Sequence, residues 1–350
     1  MTCGGYRRHH TKMPKQLNIA DVARAAGVST TTVSRVLNRV PTVTTENRAK
    51  VEAAVRQLNF RPNVAARRLA AGRQQTTLGL IIPEFQEVFQ SFYAIEVIKG
   101  VGRASQEHHV DLLLHLASEN KREPNIQAVD GLIFVDVYGQ EEFLDRMLGE
   151  RMPCIVLNHY LDELPVSCIA VDNALGAKQA VDFLVGLGHR EIATIAGDLG
   201  TQVGLDRLDG YVRAMRSHNL TVKQSYIQRA DDYSPAAARR AATKLLSLDD
   251  RPTALFVASD EMALAAIDVA QSKNLRVPED LSIVGFDDNP VAVSGTIPLT
   301  TIFQPLRDMA SQGIAVLMET MQGKRRAPLK VRLPTKLIER QSCRQTWLPR

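Results

Sequence analysis

The spacing of apolar positions changes once along this chain, from a helical period to short unbroken runs, and the change divides it. In Ile19–Asn38 (IADVARAAGVSTTTVSRVLN) two short helical patterns meet at Gly27-Val28, and Val22, Ala26, Val28, Val33 and Val36 can close on one another. Ala23 is small where two helices have to cross, and Gly27 supplies the positive φ of a tight turn. Ser29 is placed to cap the second helix, its hydroxyl accepting from a free N–H. Opposite the valines, Thr31, Ser34, Arg35 and Asn38 follow the i, i+3, i+4, i+7 spacing of one helix face. After a loop with Pro41, Thr44 is a second cap, and a third helix runs to about Leu58 with Val51, Ala54, Val55 and Leu58 inward. The plain alternative is an ordinary amphipathic helix pair. The order of small residue, glycine turn, capped second helix and polar outer face favours a helix-turn-helix head instead. On that reading Thr30, Thr31, Ser34 and Arg35 read bases in a major groove, while Asn38, Arg48 and Lys50 hold the DNA backbone.

Phe60-Arg61-Pro62-Asn63 breaks the helical pattern, and VAARRLAAG follows to Gly72. Two turns with little to bury are marginal alone, because helix nucleation is unfavourable. The segment is either a flexible linker or a hinge that becomes helical only when docked. From Thr77 onward TLGLII, VDLLLHL, GLIFV, CIVLN, CIAV, IATIAG, ALFVAS and SIVGF are apolar runs of strand length. Helical stretches such as Phe92–Gln106, Leu175–Leu187, Ala236–Leu246 and Glu261–Lys273 lie between most of them. Continuous apolar runs predict strands buried on both faces, hence parallel α/β sheets. There are too many for one sheet, so two lobes are expected. Between VDLLLHL and GLIFV only Ala117–Asp130 remains, broken by Pro124, which is short for a helical crossover.

Charge sharpens the division. Residues 1–75 carry 14 Lys and Arg against 3 Asp and Glu, a net of +11, and the remaining residues carry 29 against 35, a net of −6. A basic head on a mildly acidic body suits a polyanion at one end. The four cysteines, Cys3, Cys154, Cys168 and Cys343, show no metal spacing, and Cys154 and Cys168 sit in apolar runs as small hydrophobes. His9-His10 and His108-His109 are adjacent pairs whose side chains diverge, so no metal or cofactor is expected. No apolar run is long enough for a membrane span. The N-terminal MTCGGYRRHHTKMPK lacks the apolar stretch of a secretory signal; it is either a basic arm or a stretch ahead of a start at Met13. A cytoplasmic location is expected.

Candidate chemistry lies in the second half. IAGDLGTQVG at Ile195–Gly204 follows a strand and precedes a helix, but it has neither G-x-G-x-x-G nor a Walker lysine, so it is a weak phosphate loop. Asp287 in GFDD follows a strand-like run, where open α/β sheets bind ligands, and Arg207 in DRLDGY follows the Ile195–Gly204 loop. Their bland alternatives are a surface ion pair of Arg207 with Asp206 or Asp209, and an N-cap for Asp287. No nucleophile with an adjacent base is present, so an enzyme is not expected.

Taken together, IADVARAAGVSTTTVSRVLN, P-N-x-x-A-R-x-L at Pro62–Leu69, LTTI at Leu299–Ile302, GFDD and LIERQS at Leu337–Ser342 resemble the lactose repressor (LacI/GalR-type) family over about residues 17–342. The run STTTVS is especially close to purine-repressor-like members. The resemblance implies an all-α helix-turn-helix head plus an α/β core of two flavodoxin-like parallel-sheet lobes of the periplasmic-binding-protein type. It implies a basic extension at 1–16, a head at 17–61, a hinge at 62–75, a core at 76–342 and a tail at 343–350. Within the core, lobe 1 would take 76–171 and 299–329, and lobe 2 would take 172–298 and 330–342, with crossovers near Val171, Pro298 and Leu329. In the hinge, Arg67 and Arg68 would approach phosphates and Leu69 would wedge into the minor groove. Phe92, Asn158, Arg207, Tyr233, Ser259 and Asp287 would line the effector site. Arg207 donates a forked pair to hydroxyls, Asp287 accepts one, and Tyr233 or Phe92 stacks on a sugar face. The implied function is a DNA-binding repressor of a pseudo-palindromic operator, controlled by a sugar or sugar derivative, with a purine or nucleoside effector as the alternative. A solute-binding protein and a sugar-metabolising enzyme fit less well, since the first lacks a reason for the basic head and the second lacks an acid/base pair. The crossover at 117–130 is shorter than the family's, which puts its share in a dimer contact in doubt. No heptad tail follows Arg340, so a homodimer is expected and not a tetramer.

Overall fold

The computed structural model describes residues 18–37, 43–58, 76–83, 89, 91–117 and 124–346. Asn38, the N-terminal extension and the expected hinge with Arg67, Arg68 and Leu69 lie outside the described residues. The chain divides into two compact units, Met1–Gln74 and Gln75–Arg350.

In the first unit, α1 (Ile19–Ala26), α2 (Thr30–Leu37) and α3 (Thr45–Gln57) close on Val22, Ala23, Ala26, Val33, Val36, Val51 and Ala54. Asn18 starts α1 with a capping box, its side chain accepting from Asp21 N while Asp21 accepts from Asn18 N. Gly27 ends α1 at φ +64°, with open space where a Cβ would go, so backbone conformation and not crowding requires the glycine. Ser29 Oγ accepts from Thr32 N at 3.1 Å, and Thr44 Oγ1 from Asn47 N at 3.4 Å.

The second unit holds two lobes. Its first sheet runs in the order β11-β5-β4-β3-β1-β2, all parallel: β1 is Thr76–Pro83, β2 Val110–Ala117, β3 Gly131–Val135, β4 Cys154–Leu157, β5 Ser167–Val171 and β11 Lys330–Leu333. Helices α4 (Phe92–Glu107) and α10 (Leu306–Met321) cover one face, packing on Leu78, Leu80, Ile133 and Ile155, and α5 (Glu141–Gly149) covers part of the other. The second sheet is β7-β6-β8-β9, also parallel, from Ile227–Arg229, Ile192–Ala196, Ala254–Val257 and Ser282–Val284. Helices α6 (Asn173–Gly186), α7 (Gln202–Ser217), α8 (Pro235–Leu245) and α9 (Asp260–Ser272) flank it. Cys154 and Cys168 are buried, as their apolar runs predict, and burial pushes the Cys154 thiol up to about 12.

Two lobe limits move from their expected places. Thr300 and Phe303 bridge Val284 and Asp287, and β10 (Thr301–Phe303) pairs antiparallel with β12 (Lys336–Ile338), so this stretch stays with the second lobe. Lys330–Leu333 pairs with β5 and belongs to the first sheet, not the second. The chain therefore crosses after Val171, at Gln304-Pro305 and between Leu333 and Lys336. Both errors have one cause: apolar runs mark strands but not which sheet recruits them.

A third difference is β2. Its run predicts burial on both faces, yet Leu112 and Leu113 are 37% exposed and Leu114 42%. Leu112 and Leu114 stand beside Leu78 and Leu80 on the face toward α4, at the open edge of the sheet. On the other face, the described part of the short crossover offers only a turn of 3-10 helix at Ile126–Ala128.

One side-chain amide ties the lobes together. Gln202 at the start of α7 accepts from Tyr160 N at 2.6 Å and donates to Tyr160 O at 3.0 Å. Arg332 of β11 lies over the Tyr160 ring, 4.3 Å from its centroid.

Candidate DNA-reading face and effector cleft

In the head, Thr30, Thr31 and Arg35 are exposed on α2, with Ser34 half-buried beside them and Val33 and Val36 turned inward. The helix starts free of acidic residues, so its N-terminal turn can approach phosphate. Arg48 is half-buried on α3, and the exposed Lys50 holds Glu46 at 2.8 Å.

The candidate effector residues gather just past the carboxyl ends of strands, Asp136 after β3, Asn158 after β4 and Asp287 after β9. Arg207 is buried on α7; its Nε donates to Asn173 Oδ1 at 2.9 Å and its Nη1 to Ala258 O at 2.6 Å. Its guanidinium lies 3.8 Å from the Phe286 ring centroid, and Nη1 is 4.0 Å from Asp287 Oδ1. The surface pairing with Asp206 or Asp209 does not form; Asp209 holds Arg213 instead. Nor does Asp287 cap a helix, since Asn289 accepts from Val291 N there. Asp287 sits at φ +128° just past β9 and accepts from Gln304 Nε2 at 2.6 Å. Burial pushes its carboxyl up to about 6, against the opposing pull of Arg207 and Gln304. Asp260 is buried at the start of α9, accepting from Thr301 Oγ1 and from Asn289 N at 2.8 Å, and burial with Asp287 nearby raises its carboxyl well above the usual range.

Three atoms here are closed off from solvent without a close, well-aligned hydrogen bond: Tyr93 Oη, which faces Asn158, Tyr233 Oη, which faces Thr201, and Gln304 Oε1. Such groups are unfavourable unless something else satisfies them. Tyr233 is in the left-handed region at φ +53°, and its ring packs on Gly197 so closely that a Cβ there would lie 2.0 Å from it. Tyr93, the second residue of α4, comes from the first lobe and feels Asp136 and Arg207. Asp136 Oδ1 also lies 2.8 Å from His159 Nδ1.

The expected residues thus differ in how they are used. Arg207, Tyr233 and Asp287 come together. Asn158 is buried at φ +58° at the end of β4, its Oδ1 accepting from Val171 N at 3.4 Å. The Ser259 hydroxyl is committed to capping α9 through Met262 N at 3.3 Å. Phe92 packs against the core of the first lobe. Sequence reasoning missed Tyr93, Asp136 and Gln304. Asp136 follows the run GLIFV at a strand end, which was a usable signal, whereas Gln304 sits in a crossover with no pattern to mark it.

Residues 18–63 match the model for bacterial regulatory proteins of the lacI family, and residues 181–343 match the periplasmic binding protein-like domain. Catabolite control protein A of Priestia megaterium is 33% identical over 94% of this chain and 99% of its own. Among solved structures, the transcriptional regulator CelR–cellobiose complex is 30% identical with TM-score 0.69, covering 93% of this chain and 99% of that one. A lac repressor dimer bound to operator and the anti-inducer ONPF is 27% identical with TM-score 0.69, covering 94% and 100%. No helix among the described residues is long and apolar enough to cross a membrane.

Proposed function

Because the chain belongs to the lacI family of bacterial transcriptional regulators, we propose that it is a cytoplasmic repressor of a pseudo-palindromic operator, released or engaged by a carbohydrate in the cleft. The observation that carries the reading is the meeting of Arg207 and Asp287 from one lobe with Tyr93 from the other and Gln304 from the crossover, in a chain that begins with a DNA-reading head. A sugar would accept from Arg207, donate to Asp287 and stack on Tyr233. The cellobiose held by CelR favours that class, while 33% identity to the PurR repressor of Proteus mirabilis keeps a purine or nucleoside as the alternative.

Thr30, Thr31, Ser34 and Arg35 would read bases, and Arg48, Lys50, Asn38 and Arg67 would hold phosphates, with Leu69 as the wedge. The working form would be a homodimer, with the open edge at Leu112 and Leu114 covered by a second copy. Ligand bridging the cleft changes operator affinity only if it binds the lobe arrangements unequally. Operator must then change ligand affinity by the same factor, typically worth about 1–3 kcal/mol.

The test starts by enriching binding sites from a random DNA pool with the full-length protein. The selected duplex is then titrated with and without neutral sugars and nucleosides. Arg207→Ala and Asp287→Ala should keep unliganded DNA affinity within a few fold and lose the response. A variant that still responds fully places the effector elsewhere; failure to enrich any sequence removes the repressor reading.

A further inference from the structure

Arg207 and Asp287 stand 4.0 Å apart, too far for a hydrogen bond and close enough for one ligand group to touch both. Each is held from behind. Arg207 is fixed by Asn173, by Ala258 O and by the Phe286 ring. Asp287 sits on an unfavourable piece of backbone, since it and Asp288 follow one another at φ +128° and +55° without a glycine. A loop of that kind keeps its shape only where its surroundings over-determine it. Gln304 holds the Asp287 side chain and Arg340 that of Asp288, while Asp287 N donates to Ile302 O at 2.8 Å. The rest of the loop is held from below by one carboxyl, that of Asp260, whose residue is 0% exposed. One of its oxygens accepts from Asn289 N at 2.8 Å, directly after the two left-handed residues, and the other from the Thr301 hydroxyl. The Thr301 oxygen in turn accepts from Asp288 N at 3.4 Å. Ahead of the loop, Gly285 makes room for the carboxyl, because a Cβ there would lie 2.3 Å from Asp260 Oδ1. The Asp260 backbone N–H also faces the Asp287 carboxyl. Ala258 and Asp260, two residues apart at the end of β8, thus hold both halves of the pair.

We propose that Asp260 is a positioning residue of the effector site: without touching the ligand, it fixes the loop that presents Asp287 and so keeps the gap to Arg207 open. The proposal rests on the cleft being the effector site. A ligand bridging the pair meets both groups already in place, and none of its binding free energy goes into ordering the loop. With Asp260 gone, the loop is free to relax from its left-handed backbone, and Asp287 can close on Arg207. An ion pair made within the chain must then be opened before a ligand can use either group.

Three variants of the full-length protein test it. Asp260→Ala removes both contacts to the loop, and Thr301→Val removes the one that reaches Asp288. Asp260→Asn keeps an acceptor for Asn289 N and turns an N–H toward Thr301 Oγ1, so it should behave as wild type. Hydrogen exchange without ligand comes first. In Asp260→Ala and Thr301→Val the amides of residues 285–289 should exchange about ten-fold faster or more, with β6 and β8 unchanged, and Asp260→Asn should keep its protection. Calorimetry follows with glucose, cellobiose, ribose, adenosine and hypoxanthine, then with pools of neutral sugars and nucleosides. The probe is the compound whose binding Asp287→Ala removes. Its affinity should fall about ten-fold in Asp260→Ala, less in Thr301→Val, and stay within about three-fold of wild type in Asp260→Asn. Should Asp260→Ala fail to fold, Thr301→Val and Asp260→Asn decide the matter. Faster exchange spread through the whole lobe gives Asp260 a structural role only and overturns the inference. Unchanged exchange in the loop, or a loosened loop with unchanged affinity, overturns it too and leaves the cleft standing. A loosened loop with no compound that depends on Asp287 overturns the cleft as the effector site, and the inference with it.

Discussion

Burial raises the Asp287 carboxyl from its ordinary 3.8 to about 6, so its titration contributes to folding with a definite sign. A carboxyl raised on folding contributes stability that is complete below its unfolded value and is lost as pH rises through the folded one. Asp287→Asn removes the titration and keeps the shape of the side chain. At pH 7 the variant should be more stable than wild type by on the order of 1–3 kcal/mol, with the gap closing below about pH 4. Denaturant midpoints across that range check it; a gap independent of pH would mean that burial of Asp287 is not its source. In the head, Arg35→Ala should cost about 1–3 kcal/mol on the selected duplex and relax preference at one position. Lys50→Ala should weaken selected and scrambled duplexes equally, and only slightly, because Glu46 already holds that ammonium. Titrations on both duplexes separate the two; equal losses on both for Arg35→Ala would remove it from base reading.

The elements show what periodicity can carry. The head was legible because its pattern is local: Gly27, Ser29 and Thr44 act on residues within a turn of themselves. Gly27→Ala should destabilise the head by about 1–2 kcal/mol through its left-handed backbone alone, seen as faster proteolysis within residues 18–58 of the intact protein. The strand β7, with sequence IQR, left no apolar run and could not be read. The exposed leucines of β2 were misread for a different reason: apolarity predicts burial without saying whether the same molecule supplies the cover. If a second copy covers that edge, Leu114→Glu should leave the melting temperature of the isolated chain nearly unchanged and shift the protein to monomer in sedimentation. A dimer of wild-type affinity would move the interface elsewhere.

At the scale of the whole molecule, Arg207 and Asp287 could be named as candidates through likeness to the family's motifs, but their distance is set by a fold that brings together residues eighty positions apart. Tyr93 and Gln304 were not, because one follows an equally plausible Phe92 and the other lies where the chain changes lobes. The Gln202 amide spans the lobes through both polar groups of a single residue, Tyr160. Gln202→Ala should therefore broaden the distance distribution between spin labels placed on α5 and α8, and an unchanged distribution would show that other contacts set the lobe angle. The pairing of β11 with β5 has a further consequence, for synthesis. A nascent chain makes Ser167–Val171 early, and that apolar strand has no neighbour on one side until Lys330 leaves the ribosome. Throughout the elongation of the second lobe the first carries an open edge suited to pairing with another chain. Ribosomes stalled within that window should release products that aggregate, and the last strand to emerge is the one that makes the first lobe safe.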